Sequence, residues 1–386
     1  MRRFYFLCVF GVIFCSCTAQ QDQSQSILPG AYQMNEYLPL IKGKRVGLLV
    51  NHSSIVGTTH LVDTLLSLDI NIVKAYSPEH GFSGTKADGE VIKDQETPYD
   101  FEVISLYGSS KEPSKEQMEG VDVMIFDIQD VGIRFYTYPS TMTYMMQACA
   151  KYKIPFIVLD RPNPHGGYVD GPVMQDEYKS FIGMHPVPLV HGLTIGEMAM
   201  MINDEGWLKN GLYCDLTVVA VRNWTHATPY SLPVAPSPNL PNDLAIALYP
   251  SLGFFERTIA SVGRGTEYPF QVIGHPDYPD KDFSFTPTPN EGSKYPPLEG
   301  EKCFGVSLVG SEPIYEFNLS YLIDFYQKMK GQTDKPFFTK GFERHAGTKL
   351  LQQQIEAGWT EDRIRASWQE ELKAFHKIRN KYLLYE

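Results

Sequence analysis

The sequence predicts an α/β protein: a Rossmann-like domain with a mostly parallel sheet, followed by a smaller α+β auxiliary domain. Three observations carry that expectation. Short apolar runs alternate with helical segments, the pattern of βαβ units whose strands are buried on both faces. The chain has 386 residues, 43% of them apolar and 20% charged. That is enough to bury a substantial core, and too apolar for a disordered polypeptide. Finally, chemically capable polar residues gather at the ends of the apolar runs, where open parallel sheets bind their ligands.

The first segment, Met1–Cys17, reads as an export signal. Arg2 and Arg3 form a basic start, Phe4–Phe14 an apolar stretch, and Cys15-Ser16-Cys17 closes it. The stretch is shorter than the roughly 20 residues that span a bilayer, and a short apolar run ending in small residues is a secretory signal. A Cys directly after Ser16 resembles a bacterial lipobox, although Phe14 stands where Leu is usual. Cleavage is therefore expected before Cys17, with lipid on its thiol; the alternative is plain cleavage and an unmodified Cys17. On this reading residues 1–16 are signal and 17–30 a flexible Gln/Ser-rich tether. The protein is then an exported lipoprotein of a bacterial envelope, periplasmic or outer-membrane associated, held to the membrane by its lipid.

From residue 31 the alternation begins. Arg45–Asn51 is a buried strand, and Thr59–Leu68 a helix with Leu61, Leu65 and Leu68 on one face. Strands follow at Ile70–Ser77, Phe101–Tyr107, Val121–Ile128 and Ile154–Asp160, with a helix over Ser140–Tyr152 between the last two. Thr194-Ile195-Gly196-Glu197 has capping-box spacing and opens a helix with Ile195, Met198 and Ile202 inward. Leu216–Val221 is a further strand. The proline-dense stretch Pro233–Pro241 marks a change of texture, placing one domain at 31–235 and the auxiliary domain at 236–386. The latter carries a Pro-rich loop, Asp277–Pro297, and a helical C-terminus in which Thr360-Glu361-Asp362 meets the free N–H groups of a helix start. Cys149, Cys214 and Cys303 are odd in number, widely spaced and without a CxxC; they read as small buried hydrophobes.

Charge and motifs exclude several functions. A formal net charge of −11 argues against nucleic-acid binding, and losing Arg2 and Arg3 with the signal leaves the chain more acidic still. The turn after the first strand, NHSSIVGTTH, lacks the G-x-G-x-x-G of a dinucleotide site, and there is no P-loop, so no nucleotide is expected. His52, His80, His165 and His191 show no H-x-x-x-H spacing. Neither a metal nor an organic cofactor is expected.

The first strand ends in Asn51-His52 and the second in Ser77-Pro78-Glu79-His80-Gly81-Phe82. The fourth ends in Asp127-Ile128-Gln129-Asp130, followed by Arg134 and Tyr136; the fifth runs into Asp160-Arg161-Pro162-Asn163. Carboxylates in an aromatic, oxygen-rich cleft suit glycoside hydrolysis, where one carboxyl group protonates the leaving oxygen. Glu79, on a turn bounded by Pro78 and Gly81, is the first candidate for that acid. His80, Asp130 and Tyr136 complete the catalytic candidates. Asp127 and Asp130 could equally cap the following turn, Asp160 could pair with Arg161, and Glu197 could be only the capping partner of Thr194. Asn51, Asp127, Gln129, Arg134, Asp160, Arg161, Asn163, Asn239 and Arg264 are the candidates for holding substrate.

At these residues a family resemblance enters. SPEHGF at 77–82, DIQDVGIRFYTY at 127–138, LDRPNP at 159–164 and HGLTIGE at 191–197 resemble the YbbC-like family, which includes the NamZ-type exo-β-N-acetylmuramidases. SPNLP at 237–241, VGRGTEYPF at 262–270 and the terminal YLLY continue the match over roughly residues 30–386. The resemblance implies a cleft between a Rossmann-like and an auxiliary domain. It also implies release of N-acetylmuramic acid from non-reducing ends of peptidoglycan fragments, and a catalytic glutamate falling on Glu79. That sugar carries a lactyl carboxylate, which an acidic protein must meet with a local cation; Arg134, Arg161 and Arg264 stand in the shared motifs. The competing expectation is a non-catalytic lipoprotein binding muropeptides or amino sugars in the same cleft. A metal-assisted esterase is a third, and would lose activity on chelation.

Overall fold

The computed structural model describes residues 26–79, 81–84, 98–108 and 111–386. The expected lipidation site Cys17 and the candidate His80 lie outside them. Five strands of the anticipated alternation form where the apolar runs stand: β1 (Val46–Val50), β4 (Ile72–Ser77), β5 (Glu102–Ser105), β6 (Val123–Asp127) and β7 (Phe156–Leu159). Between β1 and β4 lies a small hairpin, β2 (Ile55–Val56) and β3 (Thr59–His60). A second hairpin, β8 (Asp170–Val173) with β9 (Pro188–Val190), precedes β10 (Leu216–Val219).

The main sheet has the order β10-β7-β6-β1-β4-β5, and every pairing in it is parallel. It is doubly wound, and the strand order reverses between β1 and β6. The physical cause is legible in β1 and β6, buried at each of their positions. Successive residues serve opposite faces: Val46, Leu48, Val50, Val123 and Ile125 pack on one side. Leu49, Met124 and Phe126 pack on the other. Leu61 and Leu65 of the helix Leu61–Leu66 cover the first face; the helices Tyr138–Tyr152 and Ile195–Asp204 cover the second. The helix after β6 starts at Tyr138, two residues earlier than its apolar pattern suggests, because Pro139 suits a first helical turn whose N–H groups are unpaired anyway. The Thr194–Glu197 capping box forms as expected. A second one, Ser114–Gln117, opens a short helix that the apolar pattern does not announce.

The C-terminal part is smaller and mixed. β11 (Val272–His275), β12 (Ser284–Phe285) and β13 (Cys303–Ser307) make an antiparallel sheet in the order β11-β13-β12. Helices follow, among them Ser320–Met329, Phe342–Ala346 and Gln369–Arg379. Thr360 caps the helix Glu361–Ser367 through Arg363 N. The larger core cluster runs without a break from β6 into Phe254, Phe342 and Trp368, so the two parts share one apolar interior. The tail then returns to the first part: Leu384 N donates to Glu197 Oε1 at 2.8 Å and Tyr385 Oη to Asp160 Oδ2. Cys149, Cys214 and Cys303 are buried, unbridged thiols.

Candidate active site

Beyond β4 the chain turns sharply, with Gly81 N donating to Pro78 O and Gly81 at φ +76°. The turn holds Glu79 almost wholly inside, 7% exposed. Thr137, the N-cap residue of the helix after β6, donates its hydroxyl to Glu79 Oε2 at 2.6 Å. Beside it, the Tyr136 and Tyr138 rings meet edge to face at 4.8 Å, and both hydroxyls donate to Pro236 O, at 2.9 and 3.3 Å. Burial raises both phenols above their ordinary pKa, so each remains a protonated donor. Pro236 belongs to the proline-dense stretch, which thus brings the second half of the chain over the first.

Together with Ser237, Asn239, Tyr249 and Phe270 these groups form a narrow blind end. It widens into a cleft of about 540 Å³. Glu79, Thr137, Tyr249 and Arg264 line both regions and mark their junction. The wide part is walled by Tyr107 and Phe181 from the first half and by Glu256, Arg257 and Tyr295 from the second. Arg264 Nε donates to Glu256 Oε1 at 2.7 Å, and its guanidinium lies 5.1 Å from the Phe270 ring centroid.

Of the candidates that the sequence nominates, the structure places Glu79 and Arg264 at this junction and Tyr136 and Asn239 in the blind end beside it, and turns the other described ones into supports. The switch point between β1 and β6, where a doubly wound sheet ordinarily takes its ligand, is stitched by the chain itself. Ser53 Oγ donates to Asn51 Oδ1 at 2.6 Å and accepts from Gln129 N at 3.0 Å. Asn51 Nδ2 reaches Tyr138 Oη at 3.0 Å, and Gln129 Nε2 reaches Asp130 O and Pro162 O, each at 2.8 Å. Asp127, fully buried, is clamped by Arg161 through Nε at 2.5 Å and Nη2 at 2.9 Å. Arg161 therefore pairs with Asp127 and not with its neighbour Asp160.

Asp160 accepts instead from Arg161 N, Gly196 N, Thr194 Oγ1 and Tyr385 Oη, which anchors the tail; burial raises its pKa to about 6. Asp130 caps a turn through Gly132 N at 2.7 Å, and burial raises it to about 7. Asn163 caps a turn at His165 N and donates to Leu193 O. Arg134 spends its guanidinium on the carbonyls of Pro172, Val187, His345 and Ala346, clamping the helix Phe342–Ala346 to the first half. As substrate ligands Arg134 and Arg161 are thus displaced by structural duties, and burial lowers the Arg134 pKa to about 9. Thr137, Tyr249, Glu256 and Tyr295 line the cleft and are not nominated by sequence reasoning. Thr137 stands in one of the shared motifs, whereas Tyr249 and Glu256 sit in an apolar helical run that carries no chemical signal. Among the described residues no group of three or more His, Cys, Asp or Glu is placed to hold a metal.

A nearly buried carboxylate at the blind end of an aromatic cleft, steadied by a hydroxyl, defines a glycosidase-type site. The comparisons agree. The N-terminal family model of the exo-β-N-acetylmuramidase NamZ matches residues 46–244, and the C-terminal one residues 247–385. A relative from Bacillus subtilis (strain 168), described as the peptidoglycan β-N-acetylmuramidase NamZ, is 36% identical over 98% of this chain and 97% of its own. Two crystal structures of DUF1343 family proteins from Bacteroides fragilis NCTC 9343 share the fold. One has a TM-score of 0.86 at 43% identity, covering 94% of this chain and 99% of that one. The other has 0.80 at 27%, covering 93% and 99%. The chain belongs to the NamZ exo-β-N-acetylmuramidase family and is a glycosidase, as the motifs implied.

Proposed function

We propose that this enzyme removes N-acetylmuramic acid from the non-reducing ends of peptidoglycan fragments, with Glu79 as the general acid. The observation that carries the reading is the place of Glu79, where a blind end meets an open cleft. On this reading the terminal sugar stands at the narrow side, with a substituent reaching into the blind end of about 40 Å³, and the bond to the next sugar lies at the junction. With Thr137 Oγ1 donating to Oε2, the acidic proton belongs on Oε1, from which it passes to the glycosidic oxygen as the C1–O bond breaks, while a water oxygen bonds to C1 and gives its proton to solvent. Arg264, the one of the three motif arginines that lines the cleft, is the cation for the lactyl carboxylate, approached past its partner Glu256. The B. subtilis relative's described activity on peptidoglycan supports the substrate class. The lipid anchor on Cys17 belongs to the same reading, since it would keep the enzyme at the envelope where such fragments arise.

Incubation of the purified protein with a β-1,4-linked N-acetylmuramyl–N-acetylglucosamine disaccharide tests the proposal. Release of both monosaccharides is expected. An intact disaccharide after prolonged incubation with folded protein would overturn it.

A further inference from the structure

The wide end of the cleft carries aromatic rings for which the proton transfer at Glu79 has no use. Tyr295 is 88% exposed, a large phenol standing almost wholly in water. Its loop is nonetheless seated. Thr288 N donates to Gly265 O at 2.9 Å, and Asn239 Nδ2 donates to Gly292 O at 2.7 Å. A Cβ on Gly265 would stand 2.6 Å from Pro296. Asn239 and the neighbour of Gly265, Arg264, line the blind end, so the loop bearing Tyr295 is indexed to the reaction centre. Phe181 lines the same cleft from the other half of the chain. Tyr144 stacks beside it, centroids 6.3 Å apart at 22°, and Lys111 Nζ lies 4.1 Å from its centroid.

We propose that Tyr295 and Phe181 form a leaving-side subsite for the glycan on the reducing side of the scissile bond, a chain of N-acetylated amino sugars. The inference rests on the reading of the cleft as a glycan site. If the sugar being removed stands at the narrow side beside Glu79, the remainder of the chain passes, among the described residues, into the wide end between these rings. A pyranose presents a C–H face and a polar rim. An aromatic ring covers the face while leaving the rim in water, so binding strands no buried polar group. Tyrosine on an anchored loop gives this contact area with few rotamers to freeze. Binding energy gathered away from the reacting bond is then available to hold the glycosidic oxygen against Glu79. The enzyme accordingly binds longer fragments more tightly than the disaccharide.

The test uses the full chain and direct calorimetric titration, which does not depend on turnover. N,N′-Diacetylchitobiose and triacetylchitotriose probe the leaving side, and free N-acetylmuramic acid probes the blind end. Tyr295→Ala and Phe181→Ala should each weaken the chito-oligosaccharides by about 5- to 30-fold, the range of one lost stacking contact. N-Acetylmuramic acid binding should change less than about twofold, and Tyr295→Trp should restore oligosaccharide affinity. Unchanged oligosaccharide affinity in both alanine variants overturns the subsite. So does an equal loss for N-acetylmuramic acid, which would mean that the ring supports the whole cleft. Ring-dependent oligosaccharide binding by a protein that never cleaves the disaccharide would uphold the subsite and overturn the reaction.

Discussion

Glu79 is a single carboxylate on a turn, and what it can do depends on the hydroxyl of Thr137 and the phenols around it. Glu79→Gln keeps its shape and its bond to Thr137 but removes the proton. Turnover on the disaccharide should fall by about 10²–10⁴-fold with the fold intact. The loss should shrink for a nitrophenyl muramide, whose leaving group needs little protonation. Turnover near wild type on the disaccharide would exclude Glu79 as the acid. The three motif arginines divide by their surroundings. Arg264→Ala should lower kcat/KM on a muramic-acid substrate by roughly 10- to 150-fold, the value of one charge-assisted pair, and should spare an N-acetylglucosaminide if that is cleaved. Arg161→Ala leaves Asp127 buried without its cation, so it should cost about 3–5 kcal/mol of stability whichever substrate is assayed. Equal losses on both substrates for Arg264→Ala would make it another structural cation. Asp130 offers a pH test. Its folded pKa of about 7 lies above the ordinary carboxylate value, so the native state holds its proton more tightly than the unfolded chain. The stability linked to Asp130 is therefore full below about pH 4 and is lost as the pH rises through 7. Asp130→Asn should stabilise the protein at pH 8 by about 1–3 kcal/mol and give no gain at pH 4 in thermal melts.

The elements governed by local rules are legible along the chain. Strands show in runs such as VGLLV and VMIF, because a strand buried on both faces favours apolar residues at successive positions. Helix starts follow from Thr194 and Thr360, whose hydroxyls accept from backbone N–H groups three residues on. The loop from Phe285 to Gly300 is legible only as proline-rich. Its seating depends on contacts with Asn239 and Gly265, which no local pattern specifies. Gly265→Ala tests that dependence. The residue sits at φ +77°, and its new methyl would strike Pro296. The substitution should cost about 1–3 kcal/mol and push the loop outward. Chito-oligosaccharide affinity should drop, while affinity for N-acetylmuramic acid should fall less. Wild-type melting and binding would mean that the loop is not held by this seat.

On the scale of the whole molecule, the candidate site is assembled across the two halves, with the first supplying Glu79 and Thr137 and the second Asn239, Arg264 and the covering carbonyl of Pro236. The shared core and the returning tail hold the halves together. Among the described residues no helix is long and apolar enough to cross a membrane. The lipid proposed on Cys17 makes its own prediction. Several acyl chains, each contributing about 0.8 kcal/mol per buried CH₂, hold a protein firmly. Cys17→Ala should therefore shift the protein from the membrane fraction to the soluble exported fraction. Persistence on salt-washed membranes would rule the lipid anchor out.

The sequence by itself determined the strand–helix alternation, the capped helix starts, the family and the candidacy of Glu79, because each rests on residues adjacent in the chain. It put Glu79 first as the acid but could not tell which of the other polar residues at the strand ends would meet substrate. Asn51, Asp127, Gln129, Asp160 and Arg161 all read along the chain as candidates for holding substrate. Tertiary structure decided between them for a simple reason. A polar group buried without a partner costs several kcal/mol, so neighbours on adjacent parallel strands pair off and become scaffold. Asp127 found Arg161, Asn51 found Ser53 and Tyr138, and Asp160 found the tail. Glu79, one strand away from the switch point, instead came to face groups supplied by the distant second half of the chain, and there the cleft opened.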